Sequence, residues 1–390
     1  MAKWDDARIE ALVPRTGERR TILEGGTTAV YVPSGHLVYS RGTSILAAPF
    51  DLDRLATTGD PVAVVDGVRS AWQGTSFTVA RTGMLAYLPQ TGNARRMVLV
   101  DRAGAARPLT PFVEFLAEPR VSPDGRAIAA RRVAANDQVW RFDIEREAFS
   151  QVTFEWDNIA PVWTPDGEFL IVSSSPGWRL HRVRADGSAP PEPLPTGEGT
   201  WQHPGSVTPD GRFLAYFQVG KSTKHDIWIL PLECGGEPRV FLQTPAFEDH
   251  PAISPDGRWL AYQSDEPGRM EVYLRSFPDG GSKVQVSSGG GIHPVWARSG
   301  KELFYRAPLG GSKWRMMVAD VSPGKPMRIP RGRGLFEDSY NVAGDTASYD
   351  VFPDGQHFVM IEVDREASRI THFNVVLNWF EELKRLVPPK

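Results

Sequence analysis

The chain has 390 residues, of which 41% are apolar and 10% aromatic, enough to form a large buried core. Its 44 Lys and Arg residues nearly balance 47 Asp and Glu residues, and the net charge of −3 argues against electrostatic binding to nucleic acid or to an anionic membrane. The single cysteine, Cys234, excludes an intramolecular disulfide and a thiolate metal cluster. We expect neither a signal peptide nor a transmembrane segment in this chain, because no apolar run approaches the roughly 18 residues that a bilayer requires.

The first element that recurs in chain order is a turn. Degenerate copies surround Gly35, Gly83 and Gly300. Full Pro-Asp-Gly copies lie between short apolar runs at 123–125, 165–167, 209–211, 255–257 and 353–355. Successive turn glycines are 42 to 55 residues apart. A period of about 40–45 residues with one hairpin turn in each unit is typical of a β-propeller.

Residues 247–288 show how one unit supplies four antiparallel strands. The segment PAIS enters the turn and RWLAYQS leaves it, with Trp259 and Ala261 on one face and Leu260 and Tyr262 on the other. Apolar residues on both faces indicate a strand packed between two neighbouring sheets. The segments MEVYLRSF and KVQVSS then provide the third and fourth strands of a propeller blade.

We therefore predict an all-β fold: a single β-propeller over residues 1–390 with four-stranded antiparallel blades, eight in number, or seven as the alternative. Residues 1–27 are expected to form the N-terminal closing hairpin, because joining the two ends of the chain protects strand edges. Residues 28–345 should form seven repeat units, and residues 346–390 the last blade and a short C-terminal helix. The helix is predicted at NWFEELKRL (378–386), whose apolar residues have helical spacing.

The repeat resembles that of TolB-like and WD-like bacterial propellers, in which Ser or Thr precedes Pro-Asp-Gly and Arg or Glu follows it, as in RVSPDGR and VWTPDGE. Segments 46–68 and 375–388 are also similar to propeller regions that follow a Ser/Thr protein kinase domain and a membrane span. The resemblance implies a sensor or scaffold module, and similar propellers are often extracytoplasmic. This chain has no Gly-rich phosphate loop, HRD loop or DFG motif, so we do not expect kinase activity.

Four side chains are candidates for a site in the central channel. His203, His250 and His293 each precede a proline, seven or eight residues before the turn glycine, and Glu118 holds the same position in another unit. The first strands of a propeller line its channel, so these positions should converge at one mouth. Imidazoles and a carboxylate there could bind an anionic ligand or a divalent metal, with His250 and His293 as the metal ligands. The alternative is that each His-Pro pair only shapes a strand entrance.

Two tryptophans near loops, Trp72 and Trp201, are candidate surface contacts, with packing in the core or loops as the alternative. The sequence has no Gly-x-Ser-x-Gly elbow and no α/β region to carry one, which argues against a serine hydrolase. No cofactor is expected, with a divalent metal in the channel as the alternative.

Three functions are compatible with these features, and we predict the first, with the other two as alternatives. The first is a non-catalytic module that binds a protein or a small-molecule ligand. The second is a propeller-type hydrolase or lyase with a metal in the channel. The third is the detached sensor region of a membrane Ser/Thr kinase.

Overall fold

The computed structural model groups the chain into two compact units, residues 1–92 with 365–390 and residues 93–364. The structure describes residues 7–15, 17–71, 74–89, 94–133, 136–197, 199–220, 222–233, 236–311, 313–321, 332–340, 347–364, 366 and 369–388. Cys234 and the predicted contact residue Trp72 lie outside this described part.

The strands of the first unit begin the chain: β1 (Arg8–Leu12), β2 (Arg19–Glu24), β3 (Thr27–Val32), β4 (His36–Arg41), β5 (Ser44–Asp51), β6 (Ala56–Thr57), β7 (Val62–Val65), β8 (Ser70–Ala71), β9 (Gly74–Thr75), β10 (Phe77–Val79) and β11 (Leu85–Tyr87). The second unit follows: β12 (Ala94–Asp101), β13 (Ala106–Pro108), β14 (Val113–Glu114), β15 (Leu116–Val121), β16 (Ala127–Arg132), β17 (Gln138–Asp143), β18 (Ala148–Gln151), β19 (Asn158–Trp163), β20 (Phe169–Ser174), β21 (Arg179–Arg184), β22 (Glu192–Pro193), β23 (Thr200–Val207), β24 (Phe213–Val219), β25 (His225–Pro231), β26 (Arg239–Leu242), β27 (Glu248–Ile253), β28 (Trp259–Ser264), β29 (Glu271–Ser276), β30 (Lys283–Gln285), β31 (Ile292–Trp296), β32 (Glu302–Gly310), β33 (Lys313–Asp320), β34 (Arg333–Asp338), β35 (Tyr349–Val351) and β36 (His357–Val363). The chain returns to the first unit with β37 (Asn374–Val376) and helix α1 (Trp379–Leu386).

The unit of residues 93–364 is a β-propeller. Five of its antiparallel sheets use four consecutive strands each, and we name them blades 1 to 5: β15–β18, β19–β22, β23–β26, β27–β30 and β31–β34. The first strand of each blade contacts the first strand of the next, and β15 also contacts β35. The first strands therefore form the inner wall of a ring.

Blade 6 closes this ring by joining the two ends of the unit. Its strand order is β35, β36, β12 and β13, so the hairpin around Gly355 is completed by strands from residues 94–108. The pairing between β12 and β36 runs from Arg95 opposite Val363 to Asp101 opposite His357.

The predicted propeller of four-stranded antiparallel blades with a short C-terminal helix is confirmed, but the expected eight or seven blades are corrected to a closed ring of six. The predicted closing hairpin within residues 1–27 is also corrected, because β1 and β2 pair only with each other among the described strands. The repeat period counts inner hairpins correctly. It does not reveal which outer strands complete the last hairpin, because that choice depends on a pairing between distant segments.

The unit of residues 1–92 and 365–390 carries the other two predicted hairpins. The hairpin around Gly35 joins β3 to β4 in a sheet with β5, β6 and β7, and the hairpin around Gly83 joins β10 to β11 in a sheet with β37. Helix α1 buries Trp379 and Leu383 in the apolar core of this unit. Among the described residues, no helix is both long and apolar enough to cross a membrane.

The turns have the geometry that their sequence demands. All eight turn glycines have φ between 64° and 86°, a region that favours glycine. In blade 1, the Ser122 hydroxyl donates to Asp124 Oδ1 at 2.6 Å, and Asp124 accepts the Arg126 amide at 3.0 Å. The bond from Ser122, together with the backbone amide, lowers the pKa of Asp124. The Ser-Pro-Asp-Gly sequence therefore folds its own hairpin through local hydrogen bonds.

Candidate functional site

A cavity of about 430 Å³ lies at the centre of the ring. The inner strands of all six blades line it, and so do the prolines of four Pro-Asp-Gly turns, Pro123, Pro165, Pro209 and Pro255. Its size falls within the range of small-molecule sites in proteins. Among the four predicted site residues, His250 is the one that lines this cavity.

Bulges in the first strands place several of the predicted side chains. The residue before the proline in blades 1, 2, 4 and 5 adopts φ between 53° and 56°, and these residues are Glu118, Ala160, His250 and His293. A bulge of this kind re-aims a side chain that would otherwise alternate with its neighbours. The four positions are therefore structurally equivalent, as the spacing predicted.

His203 departs from this equivalence. In blade 3 the left-handed residue is Trp201, and His203 pairs with Phe217 in the ladder. The His203 ring stacks on Phe217 with centroids 5.0 Å apart, and Phe217 stacks on His250 at 5.8 Å. His250 and His293 lie closer, with centroids 4.7 Å apart. The three histidines thus form one continuous aromatic cluster, although only two occupy equivalent positions.

Asp249 orients the central histidine of this cluster, and the sequence analysis did not identify it. Its Oδ1 lies 3.1 Å from His250 Nδ1, and its Oδ2 lies 3.0 Å from His225 Nδ1. Burial by itself would raise the pKa of Asp249, but the two imidazoles lower it below its ordinary value. Because a carboxylate only accepts hydrogen bonds, His250 Nδ1 carries the proton, and in this tautomer of the uncharged ring Nε2 is an acceptor.

Several ring nitrogens in the cluster are buried without a hydrogen-bond partner. They are His203 Nδ1, His250 Nε2 and His293 Nδ1. Burial lowers the pKa of His203 to about 3 and also lowers that of His293, so both rings are neutral at pH 7. Three unpaired ring nitrogens therefore lie in one cluster, and His250 is the member that lines the cavity.

Glu118 does not line the cavity, and its carboxylate makes structural hydrogen bonds within the propeller. Its Oε1 accepts a 2.9 Å bond from Arg131, and its Oε2 accepts a 2.6 Å bond from the Ala160 amide in the next blade. Arg131 also pairs with Asp137 at 2.9 Å, and all three charged side chains are buried. Both carboxylate oxygens of Glu118 are therefore engaged: Oε1 binds Arg131 within blade 1, and Oε2 joins blade 1 to blade 2.

Of the two predicted contact residues, Trp201 lies in the described part of the chain, and it is half-buried. Its ring meets Trp178 edge to face with centroids 5.2 Å apart, and it lies 6.0 Å from the His203 ring. The side chain packs against the outer end of the histidine cluster.

Three charged residues of the cavity wall were not identified from the sequence: Arg120, Arg298 and Asp350. Arg120 and Asp350 are on first strands, and Arg298 follows the first strand of blade 5. Burial raises the pKa of Asp350, and the two guanidinium groups oppose this shift. No motif distinguishes these residues, because their common position depends on how the blades close.

The alternative of a divalent metal at His250 and His293 stays a prediction. Within the described part of the chain, no three His, Cys, Asp or Glu side chains are grouped so that they could hold a metal ion. Catalytic zinc sites use three protein ligands, and the two adjacent imidazoles supply two.

The protein-family profiles contain no match to the chain. Among curated proteins, the chain is 27% identical over 164 residues to an uncharacterized protein of Agrobacterium fabrum, covering 41% of this chain and 54% of that protein. It is 24% identical over 221 residues to the uncharacterized peptidase YuxL of Bacillus subtilis, covering 55% of this chain and 30% of that protein. The chain thus spans about half, or less, of the length of the curated relatives it matches.

A ring of four-stranded blades around a central cavity defines the fold class as a β-propeller. Within this class, the fold is similar to that of TolB propellers. The putative TolB from Agrobacterium tumefaciens matches it with a TM-score of 0.58 and 17% identity, covering 70% of this chain and 99% of that chain. This likeness concerns the fold, and the relation to kinase-linked propellers stays a prediction.

Proposed function

We propose that this protein is a non-catalytic binding module whose ligand, a small molecule or a segment of another protein, enters the central cavity of the six-bladed ring. The observation that carries the proposal is His250. His250 lines the cavity, its side chain is nine-tenths buried, Asp249 sets its orientation, and its Nε2 has no hydrogen-bond partner. Leaving a buried acceptor unpaired costs roughly 1–3 kcal/mol, which a ligand donor would recover.

The other two functions have less support. The metal-dependent hydrolase or lyase would need a ligand set that the described residues do not supply. The peptidase relative matches this chain over 30% of its own length, so its activity is not transferred. A sensor region of a kinase is a special case of the binding module, and sequencing the upstream reading frame for in-frame kinase motifs would test it.

Blocking the cavity tests the binding proposal. Val207 and Val295 are half-buried residues of the cavity wall, so Val207→Trp and Val295→Trp each place an indole in it. Val219→Trp is the matched control, because Val219 is exposed on the neighbouring strand and does not line the cavity.

The measurement is thermal stabilisation by a mixed library of organic acids, amines, sugars and short peptides. We expect at least one compound to stabilise the wild type and the Val219→Trp variant, and to have no effect on the two cavity variants. Stabilisation that persists in both cavity variants, or a library with no compound that distinguishes them, would refute the proposal.

A further inference from the structure

We propose that the ligand of the central cavity is an organic carboxylate that also carries a hydrogen-bond donor such as an amide N–H or a hydroxyl group. This inference rests on the proposed function and specifies the chemistry of the same site. The carboxylate is bound by Arg120 and Arg298, and the donor is accepted by His250 Nε2.

The charged groups of the wall favour an anion. Arg120 and Arg298 line the cavity together with one carboxylate, Asp350. Both oxygens of Asp350 are already engaged, because Oδ2 accepts the Val121 amide at 2.7 Å and Oδ1 accepts the Val351 amide at 2.9 Å. Neither arginine forms an ion pair with Asp350 in the described structure. The wall therefore offers two cations against one carboxylate that is committed to the backbone.

The two arginines differ in how they are held. Arg120 Nη1 donates to the carbonyl oxygens of Pro119 and Ala347, each at 2.8 Å, which fixes its guanidinium against the wall. Arg298 is exposed and makes no hydrogen bond or ion pair with another described residue. A fixed and a free guanidinium in one cavity can both bind a carboxylate, whose two oxygens match their planar geometry.

The rest of the cavity wall indicates which groups the ligand carries besides its carboxylate. Its wall is mainly prolines, valines and the rings of Trp163, Trp296 and Phe217, which suit an apolar body. His250 lines this apolar wall, Asp249 engages its Nδ1, and its unpaired Nε2 is the acceptor that we assign to the ligand. A bare hydrocarbon acid would leave that nitrogen unpaired, whereas an N–H or O–H group on the ligand would satisfy it.

Three probes that differ by one group each test this assignment. N-acetyl-phenylalanine carries the carboxylate and the N–H donor, N-acetyl-phenylalaninamide lacks the carboxylate, and 3-phenylpropionate lacks the donor. We expect calorimetric titration to rank the first probe above both others, with a loss of about tenfold or more for the amide, as for other hydrogen bonds to charged groups. Equal affinity for the acid and its amide, or no binding of the acid, would overturn the proposal.

Substitutions locate the binding groups. Arg298→Gln should weaken N-acetyl-phenylalanine about tenfold. Arg126→Gln is the matched control, because Arg126 is exposed beside the turn of blade 1 and lies outside the cavity wall. His250→Phe should abolish the preference for N-acetyl-phenylalanine over 3-phenylpropionate. If the two arginine variants weaken binding equally, the assignment of Arg298 is wrong. The comparison of the two arginine variants still tests the proposal if His250→Phe fails to fold.

Two further outcomes separate this inference from the function on which it rests. A neutral or cationic ligand that loses binding in Val207→Trp would leave the binding module intact and refute the carboxylate assignment. The source of the carboxylate is distinguished by comparing N-acetyl-phenylalanine with the longer N-acetyl-Ala-Ala-Phe. Tighter binding of the longer acid indicates the C-terminus of a peptide, and equal or weaker binding indicates a small organic acid.

Discussion

The hydroxyl group of Tyr349 in blade 6 donates a 2.8 Å hydrogen bond to the carbonyl oxygen of His293 in blade 5. Tyr349 is fully buried, so this bond joins two blades away from solvent. It also supports the backbone at the bulge that presents the His293 ring to His250. The packing of the last blade and the shape of the histidine cluster therefore depend on the same contact.

Replacing Tyr349 by Phe should lower the free energy of unfolding by about 1 kcal/mol, because the His293 carbonyl loses its partner in a buried site. Tyr216→Phe is the matched control. The Tyr216 hydroxyl is also buried but has no hydrogen-bond partner, so its removal should be neutral or slightly stabilising. Urea unfolding of both variants measures the difference, and equal losses would contradict the assigned role of the Tyr349 bond.

Gly125 should tolerate a side chain less well than Gly211. Both have φ of +74°, so alanine at either position pays a similar backbone cost of about 1 kcal/mol. A Cβ at Gly125 would lie 3.1 Å from Pro353 in blade 6, whereas a Cβ at Gly211 meets no atom within 4 Å. We expect Gly125→Ala to be more destabilising than Gly211→Ala in thermal unfolding. The same unfolding midpoint for both variants would show that a side chain at Gly125 makes no unfavourable contact with the turn of blade 6.

The ion pair of Arg306 with Asp338 should be essential to stability. Both side chains are fully buried, with Nε and Oδ2 2.5 Å apart. Arg306→Met leaves the Asp338 charge uncompensated, and removing one partner of such a pair costs about 3–5 kcal/mol. Arg182→Met breaks an exposed pair with Glu192 and should cost at most about 1 kcal/mol. Denaturant midpoints that are similar for the two variants would contradict this difference.

Acid should destabilise the propeller at pH values well above those at which carboxylates titrate. The pKa values of His203 and His293 are lowered by burial, whereas an unfolded histidine has a pKa near 6.5. As the pH falls below 6.5, the unfolded chain therefore gains protons that the folded protein does not. Between pH 7 and pH 5 each buried ring should lower the free energy of unfolding by about 2 kcal/mol.

The variant His203→Gln isolates one of these contributions. Its free energy of unfolding should depend less steeply on pH than that of the wild type between pH 7 and pH 5, whatever its stability at pH 7. The relevant observable is the slope, measured by urea unfolding at several pH values. An unchanged slope would mean that His203 takes up a proton in the folded state. Asp249 does not affect this range, because its lowered pKa places its stabilisation above pH 4 and its loss at more acidic pH.

Local chemistry explains what the sequence predicted well. Ser122 and Asp124 fold the turn of blade 1 with bonds between neighbours, so each Pro-Asp-Gly copy could be placed without knowing the rest of the chain. The equivalence of His250 and His293 followed from the same spacing. The error in the number of blades arose at β12 and β36, whose pairing joins distant segments and leaves no periodic signal.

The chemistry of the cavity was less accessible from the sequence. Asp249, Arg120 and Arg298 belong to no motif, and their positions follow from which strands bulge and which blades face each other. The role of Glu118 could not be separated from that of the histidines either, because only the fold shows Arg131 occupying one of its oxygens. Spacing identifies equivalent positions in the blades, but the partner of each side chain is set by the neighbouring blade.

The way in which the propeller is closed has a topological consequence. The chain enters the ring at Ala94 and leaves it at Asp364, and the Asp364 amide donates a 2.9 Å hydrogen bond to the Ala94 carbonyl. A ring whose two ends are adjacent can be inserted within a host polypeptide, because the insertion point in the host then needs to separate by only a few ångströms. The six blades therefore meet the geometric condition for insertion into another chain as one continuous segment.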